Sequence, residues 1–232
     1  MKSKNLTFIA EIGLNHNGNF GLFFELIKQA SFAGADFAKF QLGWRSKEGE
    51  INNLGDNEID LIIKCCNFHG IKPLFSIFTF EAYELAKKRN FSAYKIASRT
   101  VVDNPELVKK ILIEEKRTFI SLGMTNEKNP FGASDNIEYL WCRSEYPALP
   151  WVLKEMPKDF TKTDLKGYSD HSVGIEVALM AITRGALVIE KHFTLDKSDT
   201  TIRDHALSAT PSEFKNLVRL GRLIRKNLNL GV

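Results

Sequence analysis

Along the chain, short apolar runs alternate with segments whose apolar side chains recur every three or four positions. The short runs predict strands at Thr7–Ile12, Phe37–Gln41, Pro73–Phe78, Tyr94–Ser98, Thr118–Leu122, Tyr139–Arg143, Gly167–Asp170 and Ala186–Lys191. Between them, helices are predicted over Gly21–Phe32, from an Asn57 cap to His69-Gly70, over Glu81–Lys88, and from Asn104-Pro105 onward. Thr210-Pro211-Ser212-Glu213 is a capping box opening a last helix. Eight strand–helix units argue for a parallel sheet closed into a (β/α)8 TIM barrel, one domain spanning residues 1–232. A doubly wound open sheet is the alternative, but no GxGxxG turn follows the first strand. Two connections are thin: Gly132-Ala133-Ser134 breaks the fifth helix, and Pro147, Pro150 and Pro157 break Ser144–Lys166.

Composition changes this picture little. A chain of 232 residues, 44% hydrophobic, builds one well-cored domain. The net charge of +4 is spread along the chain, which suits a small anionic substrate and gives no support to nucleic acid as a partner. The cluster Arg219–Lys226 is read as a solvated helix face. No signal peptide and no apolar run near ~20 residues is seen, and Cys65, Cys66 and Cys142 show no metal spacing, so a cytoplasmic protein that does not enter a membrane is expected.

The reactive face of such a barrel lies at the C-terminal strand ends. Those ends carry Glu11, Lys39, Gln41, Ser76, Lys95, Ser98, Ser121, Ser144, Tyr146, Ser169, Asp170, His171, Glu190, Lys191 and His192, with Asp204 in the last loop. His171 and His192, on adjacent strands and each beside a carboxylate (Asp170, Glu190), are either half of a first-row metal site or satisfied core histidines. Lys39 and Lys95 lie within apolar strands, which suggests a phosphate or carboxylate ligand; the alternative is an internal salt bridge with Glu11 or Glu190. Tyr146 stacks on a substrate or merely packs its loop. His16, His69 and His205 are read as positional.

From Phe8 to about Arg225 the chain resembles the sialic acid synthase (N-acetylneuraminate synthase) family. The resemblance is carried by FIAEIGLNHNG, AGADFAKFQ, YKIAS, FISLGM, EYP, GYSDHSVG, EKHFTL and RDHALSATPSEF, in that order. It implies a (β/α)8 barrel that condenses phosphoenolpyruvate with an open-chain N-acylated amino sugar such as N-acetylmannosamine, or a related aldose, using a divalent metal, usually Mn2+. His171 and His192 match the family's metal ligands. Lys39, Lys95, Ser98, Ser121 and Ser169 match residues that hold phosphoenolpyruvate, and Glu11, Gln41, Tyr146 and Asp204 match positions that contact the sugar. Glu11, Lys39, Lys95 and the two histidines are thereby the expected catalytic set.

Four departures bear on the acceptor sugar. The chain ends at Val232, after the barrel's last helix, without the family's small antifreeze-like domain, which removes a sugar-recognition element and the usual dimer-forming device and leaves a homodimer as an open expectation. Leu42–Gly55 is shorter than the family's loop; Ile77 and Ser144 replace a threonine and an asparagine; Arg99 replaces a small residue after YKIAS. The competing functions are a metal-dependent aldolase or isomerase and a degenerate sugar-binding barrel.

Overall fold

The computed structural model describes residues 6–227. Eight parallel strands close in sequence order: β1 (Thr7–Gly13), β2 (Phe37–Leu42), β3 (Lys72–Ile77), β4 (Ala93–Ile96), β5 (Arg117–Ser121), β6 (Ile137–Cys142), β7 (Leu165–Asp170) and β8 (Val188–His192). Seven helices are described: α1 (Phe23–Phe32), α2 (Asp56–His69), α3 (Phe80–Lys87), α4 (Ser98–Asp103), α5 (Pro105–Leu112), α6 (Glu176–Thr183) and α7 (Pro211–Asn227). No described helix joins β5 to β6, and only short 3-10 segments at Pro150–Glu155 and Phe160–Lys162 join β6 to β7. The two connections interrupted by Gly and Pro therefore run as loops. No described helix is long and apolar enough to cross a membrane.

Most strand ends, and the start of α1, lie one or two residues from the expected positions, and two boundaries differ in kind. Helix α2 is capped by Gly55, whose N–H donates to Glu58 at 2.9 Å, so Asn57 lies inside the first turn and caps nothing. Ser98 leaves the strand and starts α4, because Ala97 is the extended residue before the helix. The expectations placed on residues 1–5 and 228–232 lie outside the described residues.

Side chains alternate in and out along each strand, and this positions the site. One inward layer is apolar: Ile9, Phe37, Leu74, Ala93, Phe119, Leu140 and Val188 form a cluster that plugs the barrel. Phe37 and Phe119 meet edge to face at 5.7 Å, an arrangement worth ~1 kcal/mol beyond their burial. Gly167 supplies no side chain to this layer. A Cβ there would stand 2.0 Å from the Val188 carbonyl oxygen, so glycine permits β7 and β8 to approach. Two residues further along each strand, the next inward layer is polar. The outward side chains (Phe8, Phe40, Phe75, Tyr94, Tyr168 and their neighbours) pack against the helices in the larger core.

Candidate active site

The polar layer opens into a cavity of about 740 Å³ at the C-terminal ends of the strands. The register brings its members side by side: Glu11 opposite both Lys39 and His192, Ser76 opposite both Gln41 and Lys95, and Ser169 opposite both Cys142 and Glu190. Lys39, Lys95, Glu11, Glu190, Ser121, Ser169, His171 and His192 are all buried.

Both lysines have internal partners, so the alternative of an internal salt bridge describes their resting state. Lys39 Nζ lies 2.8 Å from Glu11 Oε2 and 3.5 Å from Glu190 Oε2, and donates to Ser76 Oγ at 2.8 Å. Lys95 is less engaged. It donates to Ser121 Oγ at 2.8 Å and to the Ile96 carbonyl at 3.0 Å, and its contact with Glu190 Oε1 is 3.6 Å. Burial pushes Lys95 below the usual lysine range, helped by the Lys39 charge and opposed by Glu190. Burial lifts the Glu11 carboxyl against the pull of Lys39. For Glu190 burial acts in the same sense, yet Lys39 and Lys95 outweigh it and hold the group at about 2. Two buried carboxylates in one cluster thus have different affinities for a proton.

His171 and His192 sit with ring centroids 5.4 Å apart. His171 Nδ1 faces the Arg143 carbonyl at 2.7 Å; a carbonyl only accepts, so Nδ1 carries the hydrogen, and in the neutral ring Nε2 holds the lone pair. Burial pushes His192 down to about 3 and keeps it neutral, and its Nδ1 has no hydrogen-bond partner, standing 4.0 Å from Asp204 Oδ2. Two imidazoles with free lone pairs fit a divalent first-row cation with open positions for water or substrate. Among the described residues no ready-made cage of three or more His, Cys, Asp or Glu is present.

Tyr146 lies against His171, centroid to centroid 4.1 Å, and presents its edge to His192 at 6.1 Å. Gln41 donates to Glu11 Oε1 at 2.9 Å while its own Oε1 has no partner. Ser98 Oγ accepts from the Gly123 N–H at 2.8 Å. Gln41, Ser98, Tyr146, Asp204, Ser144 and Arg99 all line the cavity.

Four sequence-derived placements are corrected. Asp170 is not beside the imidazole of His171. It faces outward with Tyr168, whose hydroxyl donates to it at 2.9 Å, and pairs with Lys191 at 3.2 Å. Lys191 therefore also leaves the mouth. Ile77 packs in the outer core, and the residues lining the cavity at that strand end are Ser76 and Phe78. Cys142, dismissed for its spacing, lines the cavity with Sγ 3.7 Å from His171 Nδ1. Burial penalises the charged forms of both, but their mutual attraction outweighs it, raising His171 and lowering Cys142. His16 stays in its turn, bonded to Asn52.

Residues 49–232 match the NeuB family, and the N,N'-diacetyllegionaminic acid synthase of Campylobacter jejuni is 36% identical across 99% of this chain and 79% of its own length. The chain belongs to the NeuB family. Human N-acetylneuraminate-9-phosphate synthase is 29% identical over 95% of this chain and 70% of its own. The NeuB-family fold is matched in a crystal structure of N-acetylneuraminic acid (sialic acid) synthetase from Leptospira borgpetersenii, with a TM-score of 0.82 and 28% identity over 97% of this chain and 85% of that one. A truncated 3-deoxy-D-arabino-heptulosonate 7-phosphate synthase from Thermotoga maritima shares the fold at 16% identity and TM-score 0.73. As a NeuB-family protein, the chain is an enzyme of the sialic-acid-like synthase class.

Proposed function

We propose that this enzyme joins phosphoenolpyruvate to an open-chain aldose, an N-acylated amino sugar or a related aldehyde sugar, to give a 2-keto-3-deoxy sugar acid and phosphate. The observation that carries the proposal is the single buried layer in which Lys39 and Lys95 share a mouth with His171 and His192.

In this reaction C3 of phosphoenolpyruvate attacks the aldehyde carbon and C2 gains cationic character. Water then adds at C2, and the tetrahedral adduct collapses with cleavage of its C2–O bond. Lys95, with the hydroxyls of Ser121 and Ser98, binds the phosphate or carboxylate of the trianion; Lys39 and Ser169 complete that side. Glu190, ionised throughout the working range, is a fixed negative charge that favours the cationic C2. Glu11, lifted by burial, is suited to carry a proton to or from the reacting oxygens. Gln41, Tyr146 and Asp204 face the acceptor. A divalent cation held by His171 and His192, with manganese a good match to two imidazoles, would supply Lewis-acid polarisation of the aldehyde oxygen. The apolar plug beneath the layer keeps water out from below, so these charges act in a poorly screened medium.

The test is direct. Incubation with phosphoenolpyruvate, Mn2+ and a panel of N-acylated hexosamines is expected to release phosphate and yield an acid three carbons longer than the acceptor. Absence of phosphate release across the panel contradicts the proposal and favours an aldolase or isomerase on the same barrel.

A further inference from the structure

The two histidines are each preceded by a residue that points the other way. Asp170 and Lys191 are opposite one another in the β7–β8 register and face the outer core, where both are essentially inaccessible. Their contacts form one unit. Asp170 Oδ1 accepts from the Ser172 N–H at 2.7 Å and from the Ser172 hydroxyl at 2.6 Å, closing an Asx turn with His171 at its centre. The Tyr168 hydroxyl donates to the same oxygen at 2.9 Å. Lys191 Nζ stands 3.2 Å from Asp170 Oδ2 and donates to the Ser172 carbonyl. Lys191 thus reaches from the residue before His192 to the residues on both sides of His171.

We propose that Asp170 and Lys191 are a positioning pair behind the barrel wall, which sets the spacing and direction of His171 and His192 and so the affinity of the mouth for a divalent cation. The proposal rests on His171 and His192 holding that cation.

Two apolar side chains at these register positions would seal the wall without the desolvation cost of two buried charges. They would not hold the Ser172 N–H and C=O, and those two bonds fix the backbone on which the His171 ring is mounted. The ring itself is fixed from the cavity side, by the Arg143 carbonyl at 2.7 Å and by Tyr146. His192 is fixed by the strand itself, its carbonyl accepting from the Ala209 N–H at 2.7 Å and its Cα in register with Glu11. Behind the wall, the side-chain tie between Asp170 and Lys191 adds to the β7–β8 register in relating one ring to the other, while Tyr146 touches both from the cavity side. Groups beyond the first ligands commonly alter metal affinity by ~10–100-fold.

The experiment titrates the purified apoprotein with Mn2+, following free ion by electron paramagnetic resonance, and records apoprotein thermal unfolding in parallel. Wild type, His192→Ala, Lys191→Met, Lys191→Arg and the double variant Asp170→Asn/Lys191→Met are compared. The expected result is tight binding by wild type, none by His192→Ala, and a Kd raised ~10–100-fold in folded Lys191→Met and in the double variant. Lys191→Arg, which keeps a donor cation, is expected to recover affinity to within about threefold of wild type. Should Lys191→Met fail to fold, the double variant, with no uncompensated buried charge, decides the matter. If the variants only melt earlier while the folded protein binds Mn2+ as wild type does, the pair is merely structural and the proposal is overturned. If wild type and His192→Ala bind Mn2+ alike, the histidine reading fails, and this inference with it.

Discussion

Lys39 Nζ and Glu11 Oε2 are 2.8 Å apart in a buried layer where Glu190 supplies a second carboxylate and Lys95 a second ammonium. The cluster is charge-balanced with both carboxylates ionised, so it has no surplus cation waiting for an anionic ligand. Because burial already favours protonation of Glu11, an arriving anion shifts that balance by proton uptake at Glu11. Glu11→Gln is therefore expected to lower kcat by at least ~100-fold while phosphoenolpyruvate binds as tightly as before or tighter. Equal loss of kcat and of phosphoenolpyruvate affinity would contradict a proton-transfer role.

Lys95 makes the looser carboxylate contact, 3.6 Å against 2.8 Å for Lys39, and is the cation more available to a ligand. Lys95→Met is expected to raise the Kd for phosphoenolpyruvate by ~30–100-fold, the loss of a charge-assisted hydrogen bond, with Mn2+ binding nearly unchanged. Calorimetric titration with each ligand separately measures both quantities.

Tyr146 acts on His171 through its ring, 4.1 Å away, and Arg203 covers the same tyrosine at 4.6 Å. Tyr146→Phe keeps that ring and is expected to bind Mn2+ within about twofold of wild type, whereas Tyr146→Ala is expected to bind ~10-fold more weakly. Identical affinities in the two variants would show that the ring gives His171 no support.

His16 sets a pH dependence of stability remote from the chemistry. Its Nδ1 accepts from the Gly18 N–H and its Nε2 donates to Asn52 Oδ1, so both neutral-imidazole roles are occupied. Burial lowers its pKa to about 4, against the opposing Asn52 bond. Between about 6.5 and 4 the unfolded chain binds a proton that the folded chain refuses, so stability is complete above 6.5 and falls as the pH drops to 4. The loss is on the order of 3 kcal/mol. Urea unfolding at several pH values is expected to give a shallower slope in His16→Gln than in wild type; parallel slopes would contradict this origin.

Much of the fold was legible because period-two burial and period-3.6 helices are local signals, and eight such units leave few topologies. The same periodicity also places side chains inside or outside the barrel. Counting by twos from Leu140 points Cys142 inward, as counting from Phe119 does Ser121, whereas judging cysteines by metal spacing alone set Cys142 aside. Parity also separates Ser169 and His171 from Tyr168 and Asp170, so adjacency to His171 was a poor guide to where the Asp170 carboxylate lies. Glu11 and Glu190 are named from the sequence as partners for the lysines, but no local pattern tells that Lys39 takes both at once, one on β1 and one on β8. That double pairing depends on the barrel closing β1 against β8, a contact between residues far apart in the chain.

The fate of one oxygen tests the path of the bond-breaking step. Phosphoenolpyruvate labelled with oxygen-18 at the atom bridging C2 and phosphorus is turned over with an accepted aldose and Mn2+, and the phosphate is examined by phosphorus-31 NMR. Cleavage of the C2–O bond predicts that the label leaves with the phosphate; unlabelled phosphate would mean attack at phosphorus and would contradict the account.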